Sequence, residues 1–507
     1  MNKYAVYGED LLSVADAIRV KGGTSASLAF PSGFVSGINA IPTGVSPSGT
    51  FNIGANGLYD IMSYASVSVH VDVAGKENEI ITRSISGSYT NAEIQYVGKN
   101  AFQYCGSLSE VSFPNVVLVD VSAFYSCSHL VSASFQLCDT IGDDAFAYCS
   151  SLTNISFPVC ASIGSFAFRY DSNIVSVSFP SCTLLGSGAF TNCSNLQTAY
   201  FPLCTSFYND TFAYCGKLNS VTAPLCERIY SYAFNQCFSL IEVSFSRCTQ
   251  IGASAFYLCS SLTKALFSEC LSIETYAFLS CRSLSMISFP KCTKIGSHAF
   301  RACFSLANAS FPECTSIQAS CFQNCSALSK ISFPKTSIVG SYAFTNCSTL
   351  ESVYLPICNS IYANAFYSCY SISSVFIGSA IFVGINAFQN CSSLAYVKIV
   401  GSPSFAVSNA TFTMCPNLDT VVLTGCSELY STAFSKPTTA SPITSFYMLG
   451  SIVTNLKVAM SYVFGATNIP ISFFVPSSMY NDYITNASWG VESSRFVALT
   501  DEEIALL

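Results

Sequence analysis

The sequence predicts a repeat solenoid: a flattened coil of short strands and turns wound with a 22-residue period. Three observations predict it. Phe102, Phe124, Phe146, Phe168, Phe190, Phe212, Phe234, Phe256, Phe278, Phe300, Phe322, Phe344, Phe366 and Phe388 are each 22 residues apart, and Phe412 and Phe434 continue after steps of 24 and 22. A second series, Phe113, Phe135, Phe157, Phe179, Phe201, Phe245, Phe267, Phe289, Phe311 and Phe333, lies half a period away, with Ala223, Leu355 and Ile377 in the remaining slots. From Cys127 to Cys369 a cysteine falls every 11 residues, with gaps only at Asp171 and Thr336 and one extra at Cys321. A strict period in this range marks units that cannot bury an apolar side alone and must stack. Both halves of the unit read Phe-x-x-Cys-x-x-aliphatic, so each side of the coil sends Phe, Cys and an aliphatic residue inward.

The two halves differ locally. Leu152 to Pro158 ends in alternation (Ile155, Ser156, Phe157), which suits a short strand. Proline lacks the donor that a ladder needs, so Pro158 stops the strand. Ala145, Phe146, Cys149 and Leu152 have the spacing of one or two helical or 3-10 turns. Between them stands Ile-Gly, as at Ile141-Gly142, Ile163-Gly164 and Ile295-Gly296, where glycine is expected to supply a corner of positive φ.

Leu-x-x-Val-x-Phe-x-x-Cys resembles the leucine-rich-repeat segment. The longer unit, Ile-Gly-x-x-Ala-Phe-x-x-Cys-x-Ser-Leu, is similar to the BspA-like (treponemal) subclass of that family across roughly residues 97–435. The resemblance implies parallel strands stacked along one side of a right-handed, leucine-rich-repeat-type coil.

Composition narrows the function classes. The 507 residues carry a net charge of −7, only 10% charged side chains, and 50% hydrophobic ones. No Lys/Arg cluster exists, so nucleic acid is not an expected partner. Mean hydropathy is +0.45, yet no run of 18 apolar residues occurs, so no membrane insertion is expected. The apolar excess instead suits a core that grows along one axis under a Ser/Thr/Asn surface. Residues 1–10 hold no apolar stretch, so no Sec signal peptide is expected, and the ending Glu502-Glu503-Ile504-Ala505-Leu506-Leu507 leads to no expectation of a membrane anchor.

The 26 cysteines invite a disulfide or metal reading. Cysteines in the same slot of adjacent coils would be close enough to bond, but their side chains would run parallel. Zinc needs close ligand pairs. Only Cys321 and Cys325 are close in sequence, and His70, His129 and His298 are far apart. The expectation is a column of small, buried, mostly free thiols, with no metal and no cofactor.

Along the chain, residues 1–41 read as a helical attachment module. Leu11, Val14, Ala15 and Ile18 make one helical face ended by Gly22-Gly23, and Phe34, Val35, Ile38 and Ile41 make a second. Residues 42–75 read as a small β-hairpin module, 76–98 as linker and N-terminal cap, 99–435 as the solenoid of about fifteen coils, and 436–507 as a degenerate coil and C-terminal cap holding the single Trp489. Ala15 to Ser25 with Phe30-Pro31, and Asn56-Gly57-Leu58-Tyr59-Asp60-Ile61 with Tyr64 to Val71, resemble short modules of phage and prophage tail or fibre proteins.

No H-E-x-x-H, G-x-S-x-G, P-loop or Rossmann glycine pattern is present, so the expectation is a protein that is not an enzyme. Binding remains. The residue between the two inward strand residues should face solvent. It is usually serine, as at Ser112, Ser134 and Ser156, but becomes Tyr354, Phe376 and Lys398 in three consecutive coils. That aromatic-aromatic-cation column is the candidate ligand-binding site, against the alternative of cross-strand packing alone. Tyr200 and Leu266 are isolated variants, and Phe238, Phe304 and Tyr370 form a second candidate set on another edge.

Two functional expectations follow. One is a phage tail or fibre component in the virion, docking to a phage structural protein through residues 1–75, with no membrane insertion, and displaying the solenoid to a host-surface glycan or protein. The other is a bacterial surface or secreted BspA-like adhesin or interaction protein. Homo-oligomerisation through the N-terminal helices fits both.

Overall fold

A computed structural model describes residues 51–54, 69–73, 76–79, 86–435, 443–464 and 471–507. The chain is a parallel β-solenoid of about 18 turns with a period of about 22 residues and little helix. It divides into two units, residues 1–240 and 241–507, described separately below. The helical module expected at residues 1–41 lies outside the described residues. Strand Phe51–Gly54 pairs parallel with Val69–Val73, which pairs antiparallel with Lys76–Glu79. The hairpin here therefore uses residues that the sequence reading placed in the linker.

In the first unit each coil contributes one strand to a front series and one to a back series of parallel strands, each series split into more than one sheet. Asn154–Ser156 pairs with Ser132–Ser134 on the front, and Ser162–Ile163 pairs with Thr140–Ile141 on the back. Register is in step: Ile155 lies opposite Ala133, and Ile163 opposite Ile141. The phenylalanines follow. Phe102, Phe124 and Phe146 stack with centroids 4.8 and 4.9 Å apart and planes within 10°. The second column meets the first edge to face, as at Phe146 and Phe157 (5.7 Å, 72°). Aromatic pairs favour both geometries.

The segment expected to be helical is instead a run of tandem β-turns. Its N–H groups alternate in direction. Ala123, Tyr125 and Cys127 donate to the carbonyls three residues back, while Ser122, Phe124 and Ser126 donate to Asp143, Ala145 and Ala147 of the next coil. Apolar spacing cannot separate this from a helix, because both place the same side chains inside. The turns require a residue of positive φ at their third position. Two per coil supply it, such as Ser122 and Ser126, or Asp144 and Tyr148.

The Ile-Gly glycines do something other than expected. Gly142, Gly164 and Gly296 are not among the positive-φ residues. A Cβ on Gly164 would lie 2.5 Å from the backbone nitrogen of Asp143, and one on Gly142 would lie 2.6 Å from that of Val121. Glycine here lets the backbones of adjacent coils approach.

The second unit repeats the architecture, with parallel columns at Phe278, Phe300 and Phe322 (5.2 and 5.4 Å). Toward its end the front and back strands merge into Ser374–Val383, Tyr396–Val407 and Thr420–Leu429. The corner proline is missing there, replaced by Gly378, Val400 and Thr424, so the hydrogen-bond ladder runs on around the bend. Beyond residue 436 the sequence suggests one degenerate coil. Instead, Ser445–Leu449, Ser472–Pro476 and Phe496–Leu499 continue the sheet in parallel. Trp489 is fully buried against Phe473, and its Nε1–H donates to the Thr454 carbonyl at 2.6 Å.

All 26 cysteines are buried free thiols. They form two kinds of column. On the turn side Cys127, Cys149, Cys193 and Cys215 donate S–H to the carbonyls of Phe102, Phe124, Phe168 and Phe190 in the preceding coil (2.9–3.1 Å). In the other half Cys138 and Cys160 donate to the carbonyls of Thr140 and Ser162, two residues on. Cysteine is thus a small core residue that also satisfies a buried acceptor. Burial pushes the Cys138 and Cys182 thiols up to about 12, which keeps them protonated and unreactive at neutral pH. Native protein at pH 8 should therefore leave most thiols unlabelled by Ellman's reagent, and unfolding in guanidinium should release all 26. A low count after unfolding would contradict the free-thiol columns.

Candidate functional site

The front sheets present different outer surfaces in the two units. In the first, the outward residues are mostly small and polar, with Tyr200 the exposed exception. Ser132, Ser134, Thr153, Asn154, Ser156 and Ser176 line a concave groove of about 330 Å³. Gln136 Nε2 donates to the Oγ atoms of two of these residues, Ser134 and Ser156, at 3.1 and 3.3 Å.

In the second unit Tyr354, Phe376 and Lys398 are brought together. Tyr354 lies opposite Phe376, and Phe376 opposite Lys398, in register. The Tyr354 and Phe376 rings stack at 5.1 Å and 18°. Tyr354 is 66% exposed. Lys398 does not stand open beside them: its Nζ donates to the carbonyl oxygen of Leu507 at 2.7 Å.

The column does not stop at Lys398. Val422, Tyr447, Phe474 and Val497 continue it in register. Sequence reasoning missed them because the steps between them depart from 22 residues. Helix Asp501–Ala505 closes over this part. A capping box starts that helix: the Glu503 N–H donates to Thr500 Oγ1, and the Thr500 N–H to Glu503 Oε2. Ile504 packs with Tyr396, Tyr447 and Phe474 on a buried cluster of Val422, Leu449 and Leu499. The chain's last residues thus occupy one half of an apolar sheet face, and Tyr354 with Phe376 forms the open half.

The second candidate set does not form a comparable surface. Phe238 lies in the first unit, and Phe304 and Tyr370 in the second, each roughly two-fifths exposed. Arg282 sits 6.0 Å over the Phe304 ring. Among the described residues no group of three or more His, Cys, Asp or Glu side chains could hold a metal ion. No helix among them is long and apolar enough to cross a membrane.

The repeat is also matched as a family. A model of the BspA type leucine rich repeat region, in six copies, matches residues 82–197, 205–329 and 315–441. The chain belongs to the BspA-type leucine-rich-repeat family. No curated protein matches it. Among solved structures, a leucine-rich repeat protein from Bacteroides ovatus is 21% identical at a TM-score of 0.50, covering 74% of this chain and 87% of that one. A leucine rich cell surface protein from Faecalibacterium prausnitzii is also 21% identical, at a TM-score of 0.34, covering 63% and 88%. The first likeness supports the fold of this BspA-type chain. Leucine-rich-repeat proteins generally mediate protein–protein interactions, and this repeat family is typically non-catalytic.

The tail-fibre expectation has no such support. It rested on resemblances within residues 15–71, most of which lie outside the described residues, and neither the family match nor the structural neighbours extend it.

Proposed function

We propose that this BspA-type protein is a bacterial surface or secreted interaction protein, and that the open half of the second unit's front sheet binds a partner protein. The observation that carries the reading is the Tyr354–Phe376 stack, with Tyr354 exposed and Phe376 half-buried, in a column where the coils before it present mostly serine. Exposed aromatics beside a desolvated patch are the usual anchors of protein interfaces. The same face already holds a helical segment, Asp501–Ala505, through its one packed side chain, Ile504. A partner helix or loop with an apolar side chain would extend that packing over Phe376.

Two measurements test this. Antibodies to the solenoid should label intact, unpermeabilised cells of the producing bacterium or its culture medium; signal only after permeabilisation would refute the location. Labelled full-length protein should bind protease-sensitive sites on host cells. Tyr354→Ala with Phe376→Ala should cost about 2 kcal/mol or more, roughly thirtyfold in Kd, without a fall in melting temperature. Unchanged binding by the double variant would place the interface elsewhere.

A further inference from the structure

We propose that one edge of the first unit, formed by Tyr104, Tyr125, Tyr148 and Tyr170, is a binding platform for a linear glycan, distinct from the front-sheet surface of the second unit. The four side chains come from four consecutive coils and form one continuous stripe. Tyr104 meets Tyr125 edge to face at 5.7 Å and 82°, Tyr125 meets Tyr148 at 5.4 Å and 63°, and Tyr148 stacks on Tyr170 at 5.0 Å and 11°. Tyr104 is 51% exposed and Tyr170 44%.

The slot is left-handed in coil after coil, so the fold sets its backbone and leaves the side chain variable. Tyr104, Tyr148 and Tyr170 have φ of 61°, 64° and 63°, in the left-handed region. A residue with a Cβ costs roughly 1–2 kcal/mol there, and only glycine and asparagine enter it readily. The chain uses asparagine in the equivalent slot of other coils, at Asn192, Asn324, Asn346 and Asn390. Tyrosine in this slot occurs at Tyr104, Tyr148, Tyr170 and Tyr214, all in the first unit, and in none of the second unit's coils, where Leu258, Ser280, Ala302 and Met414 also appear. Tyrosine is thus concentrated in the first unit at a slot that other coils fill with several residue types. Left-handed Tyr232 and Tyr342 also exist, and Tyr276 touches His298, but none extends into a stripe across four coils.

The chemistry of the stripe fits a sugar polymer. A pyranose presents an apolar C–H face that packs on an aromatic ring and a rim of hydroxyls that needs polar partners. Tyr104, the most exposed of the four, meets Tyr125 edge to face rather than stacking on it, and a phenol can donate and accept. Successive rings repeat at the coil spacing, so a ligand that itself repeats can occupy them in series. A charged pair lies beside the middle of the stripe. Arg169 lies 5.1 Å over Tyr148 and 4.9 Å over Phe166, and pairs with Asp144 at 3.2 Å. That pair can exchange hydrogen bonds with ring hydroxyls or a uronic carboxylate.

The test uses the full-length protein and three probes: the hexasaccharides of β-1,4-linked glucose, β-1,4-linked N-acetylglucosamine and α-1,4-linked galacturonic acid, followed by calorimetry. At least one should bind. Tyr148→Asn with Tyr170→Asn should weaken it roughly tenfold or more while the melting temperature holds or rises, since asparagine relieves the left-handed strain. Tyr214→Asn, in the same slot away from the stripe, should leave binding unchanged. Binding of none of the three probes, binding indifferent to the double variant, or a double variant that binds weakly because its melting temperature has dropped would each overturn the proposal; the last would make the stripe a structural staple.

Discussion

Phe300→Ala should destabilise the second unit by about 3–5 kcal/mol, more than any surface substitution in the chain. Phe300 is fully buried with rings on every side. Phe278 and Phe322 stack on its two faces at 5.2 and 5.4 Å, and Phe289 and Phe311 meet it at 6.0 and 5.9 Å. The cost falls at the upper end of the range because the site cannot collapse. The Phe300 N–H is tied to the Cys321 carbonyl at 2.8 Å, and its own carbonyl accepts the Cys325 S–H at 3.1 Å. Both neighbouring coils are held at fixed spacing, so the void stays open. Urea unfolding followed by circular dichroism measures the loss, with Tyr354→Ala as the exposed control, expected within about 0.5 kcal/mol of wild type. Equal effects of the two substitutions would mean that the column does not carry the coil. Because a repeat array is stabilised by nearest-neighbour interfaces, the variant is also expected to broaden the transition.

That column was legible because a 22-residue period converts directly into stacked side chains. Phe, Cys and Leu or Ile at fixed phase have to point the same way in every coil. What the period does not encode is backbone direction. The turn segment and a short helix bury the same residues; they differ in whether alternate N–H groups reach back three residues or across to the next coil. The glycine reading failed for a related reason. A glycine can answer a demand on φ or a demand on space, and only coordinates separate them: Gly164 meets the Asp143 backbone, while positive φ is carried by Asp144, Phe166 and Tyr170.

The candidate site was legible only where the rhythm held. Tyr354, Phe376 and Lys398 are 22 residues apart and were visible as a column. The longer steps to Val422, Tyr447 and Phe474 hid its continuation, and with it the segment that covers it. No local pattern announces that Leu507 will meet Lys398, 109 residues earlier. The Tyr104, Tyr148 and Tyr170 slots were in phase throughout, but the left-handed backbone that this slot has in every coil has no sequence signature.

Asp171→Cys should stabilise the first unit by roughly 1–3 kcal/mol at neutral pH, the cost of a buried polar atom left unpaired. Asp171 occupies a slot in the cysteine column and is fully buried. The Cys149 N–H donates to its Oδ1 at 2.7 Å, but Oδ2 has no hydrogen-bond partner. Burial, reinforced by the neighbouring Cys193, holds its carboxyl well above the ordinary carboxylate range. The folded protein therefore keeps a proton on Asp171 that the unfolded chain releases near pH 4. Where the native state binds the extra proton, stability falls as pH rises. The wild-type protein should thus lose stability between about pH 4 and the raised native value, and the cysteine variant should not share that slope. Urea midpoints at pH 4.5, 6 and 7.5, below the titration of unfolded thiols, should show a gap between the two proteins that widens with pH. Parallel curves would mean that Asp171 carries the same charge folded and unfolded, and a less stable variant would mean that the carboxyl makes a contact the thiol cannot replace.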